Sequence, residues 1–241
     1  MYKLVWEDLF KNDGLPDESI WTFETGGHGF GNHEQQHYTN RLENCYIKDG
    51  ILTIEAKKET FQGNDYTSSK LITYNKKPIL YGKVKVMAEL PTGRGTWPAI
   101  WFLGNSFKEG TPWPDCGEID LLEHVGSNLG QVHFSLHTKK HNHLIKTQPT
   151  FFYKDEGLLS GFHEYQMVWD ESQISFYVDD VHKVTFKKEE VTIDDHWPFS
   201  QPHYLILNLA MGGWWGGEID DTALPQKFRF KYVKVYERCE K

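Results

Sequence analysis

Three features are scarce in this chain of 241 residues, and each scarcity excludes a class of protein. Three cysteines (Cys45, Cys116 and Cys239) allow at most one disulfide, which excludes a disulfide-stapled scaffold. No run of 18 apolar residues is present, so no membrane span is predicted. Arginine is rare and the net charge is −8, which argues against nucleic acid and against polysulfated substrates.

The first eight residues also lack the apolar segment and cleavage site of a secretory signal. The cellular compartment therefore stays open between the cytoplasm and secretion after removal of a signal. We expect a monomer that binds neither nucleic acid nor membrane.

Alternation of apolar and polar residues, typical of β-strands, dominates the chain. It marks strands at residues 51–56, 83–88, 131–137 and 174–178, separated by turn residues such as those at 48–50. No segment carries a helical stripe of any length, and no linker or repeat interrupts the chain. The sequence therefore predicts an all-β sandwich or jelly roll of two antiparallel sheets, built as a single domain over residues 1–241.

Aromatic side chains are abundant, with nine Trp, twelve Tyr and fifteen Phe. A large β-core accounts for more than half of them. A glycan-binding cleft explains others, because the apolar faces of sugar rings stack on aromatic rings. The negative net charge and few arginines are compatible with a neutral polymer.

One strand-like run, residues 116–124, carries three carboxylates among apolar spacers. On a strand, Glu118 and Asp120 share a face, whereas Glu123 has the opposite parity. A β-bulge at Leu121-Leu122 would return Glu123 to that face. Two glutamates leaning together from those positions reach the ~5–5.5 Å between carboxyl groups that a retaining glycosidase needs. The alternative is a solvated strand with a turn-capping Asp120, which the apolar spacers disfavour.

Residues 118–123 resemble the bulged E-x-D-x-x-E signature of glycoside hydrolase family 16. This form is typical of laminarinases, agarases and carrageenases, whereas lichenases and xyloglucan transglycosylases have an unbulged form. Further blocks match in the expected order at residues 31–39, 95–101, 162–169, 177–179, 208–213 and 232–236. The resemblance extends over nearly the whole chain, from Trp6 to Tyr236.

The resemblance implies a jelly roll with a concave substrate cleft, and retaining endo-hydrolysis of β-1,3-glucan. Glu118 is then the nucleophile, Glu123 the acid/base, and Asp120 the residue between them that shares a proton with Glu118. Mutual repulsion should raise the pKa of Glu123. Other β-glycans (mixed-linkage glucan, agarose, carrageenan) and transglycosylation stay open. A non-catalytic glucan-binding module is disfavoured by the intact carboxylates.

The resemblance also assigns substrate contacts along the cleft, with β-glucan as the expected partner. These are Asn32, Trp97, Trp101, Trp113 and His137. The direction in which Trp214-Trp215 face is left open.

Two histidine patterns suggest a metal, and we interpret both otherwise. His33-Glu34-Gln35-Gln36-His37 is a literal H-E-x-x-H, but its glycine-rich approach and β-favouring exit disfavour the helix that a zinc protease needs. Residues 133, 137, 141 and 143 are also histidine; we expect solvated side chains there, with His137 alone in the cleft. No metal and no cofactor is predicted.

Two positions depart from the pattern of the family that the sequence resembles. Met87 stands where many members have an arginine that lines the cleft, so specificity is expected to differ there. Lys231 stands where many members have an aspartate that ligates a structural calcium. An ammonium group would repel a dication, so we expect no calcium at this position.

Overall fold

The computed structural model describes residues 1–191 and 197–239. Within these ranges the strands are β1 (Tyr2–Asp8), β2 (Thr22–Phe23), β3 (Gln36–Tyr38), β4 (Cys45–Lys48), β5 (Ile51–Phe61), β6 (Asn64–Ser68), β7 (Lys70–Ile72), β8 (Gly82–Glu89), β9 (Thr96–Gly104), β10 (Glu118–His124), β11 (Gln131–His137), β12 (Thr150–Lys154), β13 (His163–Trp169), β14 (Gln173–Val178), β15 (Val181–Lys187), β16 (His203–Met211) and β17 (Gln226–Arg238). The helices α1 (Lys188–Val191) and α2 (Gly213–Gly216) are single turns. Short 3₁₀ turns lie at Gly29–Gly31, Asn105–Phe107, Glu156–Leu159, Pro198–Ser200 and Asp221–Ala223.

The strands form two sheets. Seven strands follow the order β12-β11-β10-β9-β16-β7-β2, which places β10 near the middle of its sheet. The other sheet has ten strands, with the main path β15-β14-β13-β8-β17-β5-β6-β3, while β1 pairs with β17 and β4 with β5. Pairing is antiparallel except between β3 and β6. The predicted all-β sandwich of two antiparallel sheets is confirmed, and the four predicted strands lie within β5, β8, β11 and β14.

The main core lies between the two sheets and is formed by the apolar residues of each alternating strand. In β8, for example, Val84, Val86 and Ala88 are buried in this core. A smaller apolar cluster around Tyr204 and Ile206 packs against the half-buried Trp101 and Trp113. The contacts with this cluster hold the two indole rings in place.

Met87 corrects one sequence-based expectation. It belongs to β8 of the ten-stranded sheet, and its parity is opposite to that of the core residues of β8. Its cross-strand partners are Glu164 of β13 and Tyr232 of β17. The expectation that this position lines a cleft with β10 was wrong, because β10 lies in the other sheet.

The remaining departures from regular sheet concern loops. Gly117 precedes β10 with φ +80°, and a Cβ there would lie 2.7 Å from the Pro198 side chain. Glycine is therefore required at the entry to the carboxylate strand.

All three cysteines are free. Neither helix of the described ranges has the length and hydropathy needed to cross a bilayer.

Candidate active site

A β-bulge places the three carboxylates on one face of β10. The register shifts between Asp120 and Leu122 on the β9 side, and between Asp120 and Glu123 on the β11 side. Leu121 is thus an extra residue, and Glu123 returns to the face of Glu118 and Asp120. The bulge expected from the sequence is confirmed; the separation between the two glutamate carboxyl groups stays a prediction.

Glu118 accepts a hydrogen bond from Trp113 and faces His137 on its other side. Trp113 Nε1 donates to Glu118 Oε2 at 2.8 Å, although Trp113 comes from the loop before the strand. His137, opposite Glu118 on β11, has its Nε2 atom 3.7 Å from Glu118 Oε1. Glu118 also shares a hydrogen bond with Asp120, and a bond between two carboxyl groups requires one proton between them.

Asp120 is the most deeply buried of the three acids. Its residue is 1% exposed, and its Oδ2 atom lies 3.2 Å from His137 Nε2. His137 therefore faces both Glu118 and Asp120 from the adjacent strand. The sequence-based expectation that Asp120 interacts with Glu118 and that His137 lies beside the catalytic strand agrees with this arrangement.

Glu123 receives its hydrogen bond from the opposite neighbour. Trp97 Nε1 on β9 donates to Glu123 Oε1 at 3.1 Å. The Trp97 ring packs edge-on against Trp215 of α2, with centroids 5.5 Å apart. Trp215 in turn lies 4.8 Å from the His133 ring, so α2 covers the Glu123 end of the site. Each of the two glutamates thus accepts a hydrogen bond from one indole N–H.

Burial dominates the electrostatics of this cluster. Burial first, and then the charge of Asp120, raise the pKa of Glu118 to about 8. Burial and the charge of Glu118 raise the pKa of Glu123 to about 7. Burial and the charge of Glu123 raise the pKa of Asp120 well above its usual range. The predicted rise for Glu123 is confirmed, with burial rather than repulsion as its largest cause. The cluster therefore retains protons near neutral pH.

Comparison with known proteins identifies the family to which the chain that carries this site belongs. The sequence model described as glycosyl hydrolases family 16 matches residues 32–234. The chain belongs to glycosyl hydrolase family 16.

Individual relatives resemble this family 16 chain over nearly its whole length. A beta-glucanase of Rhodothermus marinus is 44% identical over 99% of this chain and 86% of its own length. A glucan endo-1,3-beta-glucosidase A1 of Niallia circulans is 36% identical over 97% of this chain, which spans only 38% of that relative. The X-ray structure of the Rhodothermus marinus laminarinase superposes with a TM-score of 0.96 at 44% identity, covering 100% of this chain and 99% of the other. This likeness confirms the jelly-roll fold.

Trp101 is supported by residues that sequence reasoning missed. Its Nε1 atom donates to Asn208 Oδ1 on β16 at 2.7 Å, and Asn208 Nδ2 donates to the hydroxyl of Tyr38 at 3.0 Å. The ammonium group of Lys70 lies 5.2 Å from the Trp101 ring centroid. Because 107 residues separate Trp101 from Asn208, no local pattern could have indicated this pair.

The half-buried carboxylate of Glu34 continues this network towards Asn32. Glu34 accepts hydrogen bonds from Tyr38, Gln36 and, at 3.4 Å, Asn32. Burial raises the pKa of Glu34 despite these bonds. Asn32 therefore reaches the polar network beside Trp101, and its predicted contact with sugar stays a prediction.

The H-E-x-x-H segment does not form a helix. Gln36–Tyr38 is strand β3, and His33 has a positive φ of 55°. His33 stacks on Trp214 at 5.1 Å, whereas His37 packs against Phe61. The two histidines have different neighbours, as expected from the flanking sequence.

The second histidine group contributes more to the site than expected. His143 is exposed, as expected, but its ring also lies 4.8 Å from Trp113 and 5.3 Å from His137. It therefore packs against both side chains that contact Glu118. His133 faces Trp215 and also belongs to the site. Because the loop after β11 is polar, its composition gave no sign of this contact.

One group of side chains in the described ranges has the spacing of a metal site. The ligand atoms of Glu118, Asp120 and His137 lie within 4.8 Å of one another. These atoms already interact with one another through a shared proton and close contacts. The expectation that the chain needs no metal or cofactor stays a prediction.

Proposed function

We propose that this family 16 chain is a retaining endo-hydrolase of β-1,3-glucan, with residues 1–241 acting as one catalytic domain and as a monomer. The observation that carries the proposal is the pair of half-buried glutamates on one face of the bulged β10, each with its own indole donor. The names of its relatives support the β-1,3 linkage.

Glu118 is the proposed nucleophile. Its Oε1 or Oε2 attacks the anomeric carbon while the glycosidic oxygen leaves, which forms a covalent glycosyl-enzyme. The ionised form of Glu118 is stabilised by the N–H of Trp113, which donates to its carboxylate. Asp120 and His137 are proposed to orient Glu118 rather than to react.

Glu123 is the proposed acid and base. Its raised pKa keeps a proton available near neutral pH, and that proton goes to the leaving oxygen in the first step. Once Glu118 is esterified its charge disappears, so the pKa of Glu123 falls and it can accept a proton from water. Water then attacks the anomeric carbon and releases Glu118. Two inversions restore the β configuration.

Asn32, Trp97, Trp101, Trp113 and His137 are proposed to contact the glucan. The four arginines of the chain are too few to line a cleft for a sulfated glycan, which supports a neutral substrate. Trp101 supplies a flat ring beside Asp120, its partner in the register of β9 and β10.

The test is reducing-sugar release and product size on laminarin, with mixed-linkage glucan, agarose and carrageenan in parallel. We expect a ladder of short oligosaccharides from laminarin, and ¹H NMR should show the β anomer first. Glu118→Gln should abolish turnover and keep binding, whereas Glu237→Gln, an exposed residue of the other sheet, should leave turnover unchanged. Binding of laminarin without turnover by the wild type would instead support a glucan-binding module.

A further inference from the structure

A second aromatic surface lies on the same sheet, beyond β11. Residues in register across neighbouring strands form rows, and one row contains Glu123 of β10, His133 of β11 and Phe152 of β12. Adjacent strands are about 4.8 Å apart, so the backbone of Phe152 lies about 10 Å from that of Glu123. β12 is the edge strand of the seven-stranded sheet.

Phe152 faces the side of the sheet that carries the carboxylates. Val132 and Phe134 of β11 point into the main core, so His133 and Ser135 point to the opposite side. The Oγ atom of Ser135 lies 2.9 Å from Oγ1 of its partner Thr150, which shows that paired side chains of β11 and β12 share a face. Phe152 has the same parity as Thr150.

The Phe152 ring is exposed and has a defined neighbour. It is 60% exposed, whereas phenylalanine side chains are normally buried in the core of a protein. Its centroid lies 6.1 Å from the His133 ring, which itself is fixed by Gln131 Nε2 at 2.9 Å and by Trp215. An ordered aromatic surface therefore continues from Trp215 through His133 to Phe152.

The geometry points to a sugar-binding subsite at Phe152 and His133, which holds a β-glucan residue on the β12 side of the reacting bond. This inference rests on the proposed function. A glycan whose scissile bond lies between Glu118 and Glu123 crosses the strands at the level of Asp120. In register, that path continues over Ser135 and Thr150, with the exposed ring of Phe152 beside it.

The flat phenyl face suits the apolar face of a glucose ring, and the exposed residue Thr150, whose hydroxyl lies beside that of Ser135, suits the sugar hydroxyls at its rim. Continuity with the carboxylate row favours a glycan over the other occupant that an edge strand can attract, a second copy of this chain. The subsite is open to solvent, so it adds affinity for longer chains without being required for the chemistry.

Binding in a Glu118→Gln background tests the subsite without turnover. Affinities for a β-1,3-glucan trisaccharide and hexasaccharide are measured by calorimetry for Phe152→Ala, Phe152→Leu and Phe152→Tyr. Loss of the flat ring should weaken hexasaccharide binding about fivefold to tenfold, the size expected for covering one face of one phenyl ring. The trisaccharide should lose much less. Phe152→Tyr should keep the affinity, because it keeps the ring.

Tyr2→Ala is the matched control, since Tyr2 is a partly exposed aromatic residue on β1 of the other sheet. It should change neither affinity. If the ratio of the affinities for hexasaccharide and trisaccharide were the same in Phe152→Ala as in the Phe152 protein, the subsite would be refuted. A wild-type dimer in sedimentation that Phe152→Ala dissociates would also refute it. Silence of the otherwise native enzyme on laminarin would refute the proposed function, whereas activity with an unchanged ratio would refute the subsite alone.

Discussion

Replacing Trp113 by phenylalanine should move one limb of the pH profile. The change keeps an aromatic ring beside His143 but removes the N–H that donates to Glu118 at 2.8 Å. A hydrogen bond to a charged group contributes about 1.5–3 kcal/mol, and 1.36 kcal/mol corresponds to about one pH unit. Because the bond favours the ionised carboxylate, its loss should raise the pKa of Glu118 by about one to two pH units.

The assay is kcat/KM on laminarin over the pH range in which the protein stays folded. The acidic limb requires ionised Glu118, so it should move to higher pH, with activity on that limb falling about 10- to 100-fold. The limbs belong to a coupled cluster, so their positions describe the cluster as a whole.

Trp97→Phe is the matched comparison, because it removes the 3.1 Å donor of Glu123 instead. The pKa of Glu123 should rise, and the alkaline limb, which requires protonated Glu123, should move to higher pH. If Trp113→Phe moved the alkaline limb, or if neither variant moved a limb, the assignment of roles to Glu118 and Glu123 would fail.

Three further predictions concern stability and binding. Glu118 has a folded pKa of about 8 against about 4.3 in the unfolded chain, so between these values the folded state binds more protons and the stability contributed by this group falls as pH rises. Glu118→Gln should therefore gain melting temperature relative to wild type from pH 5 to pH 8; a constant difference would contradict this. Asn208→Ala removes the acceptor of Trp101 Nε1 and should raise KM on laminarin several-fold with little change in kcat, whereas an unchanged KM would show that Trp101 needs no such support. A chelator should leave the melting temperature unchanged, because Lys231 stands where the family pattern has an aspartate that ligates calcium. Its ammonium group lies over the Phe162 ring, 4.3 Å from the ring centroid. A lower melting temperature in the presence of the chelator would show that a cation binds there.

Local sequence determined the strands and the carboxylate face. Alternation in β8 and β11 predicted which residues are buried, because strand side chains alternate between faces whatever their partners. The odd spacing between Asp120 and Glu123 predicted the bulge for the same reason. The motifs also indicated Trp113 and His137, which contact Glu118.

Tertiary structure alone decided which distant residues support these groups. Asn208 reaches Trp101 because β16 pairs with β9, and strand order is not encoded in the alternation of either strand. Met87 was placed in the cleft by resemblance, but the sheet to which β8 belongs puts it elsewhere. His143 lies in a polar loop, and only the closure of that loop onto Trp113 makes it part of the site. The raised pKa values of Glu118 and Glu123 likewise depend on burial between neighbouring strands, and the extent of that burial is set by the folded structure.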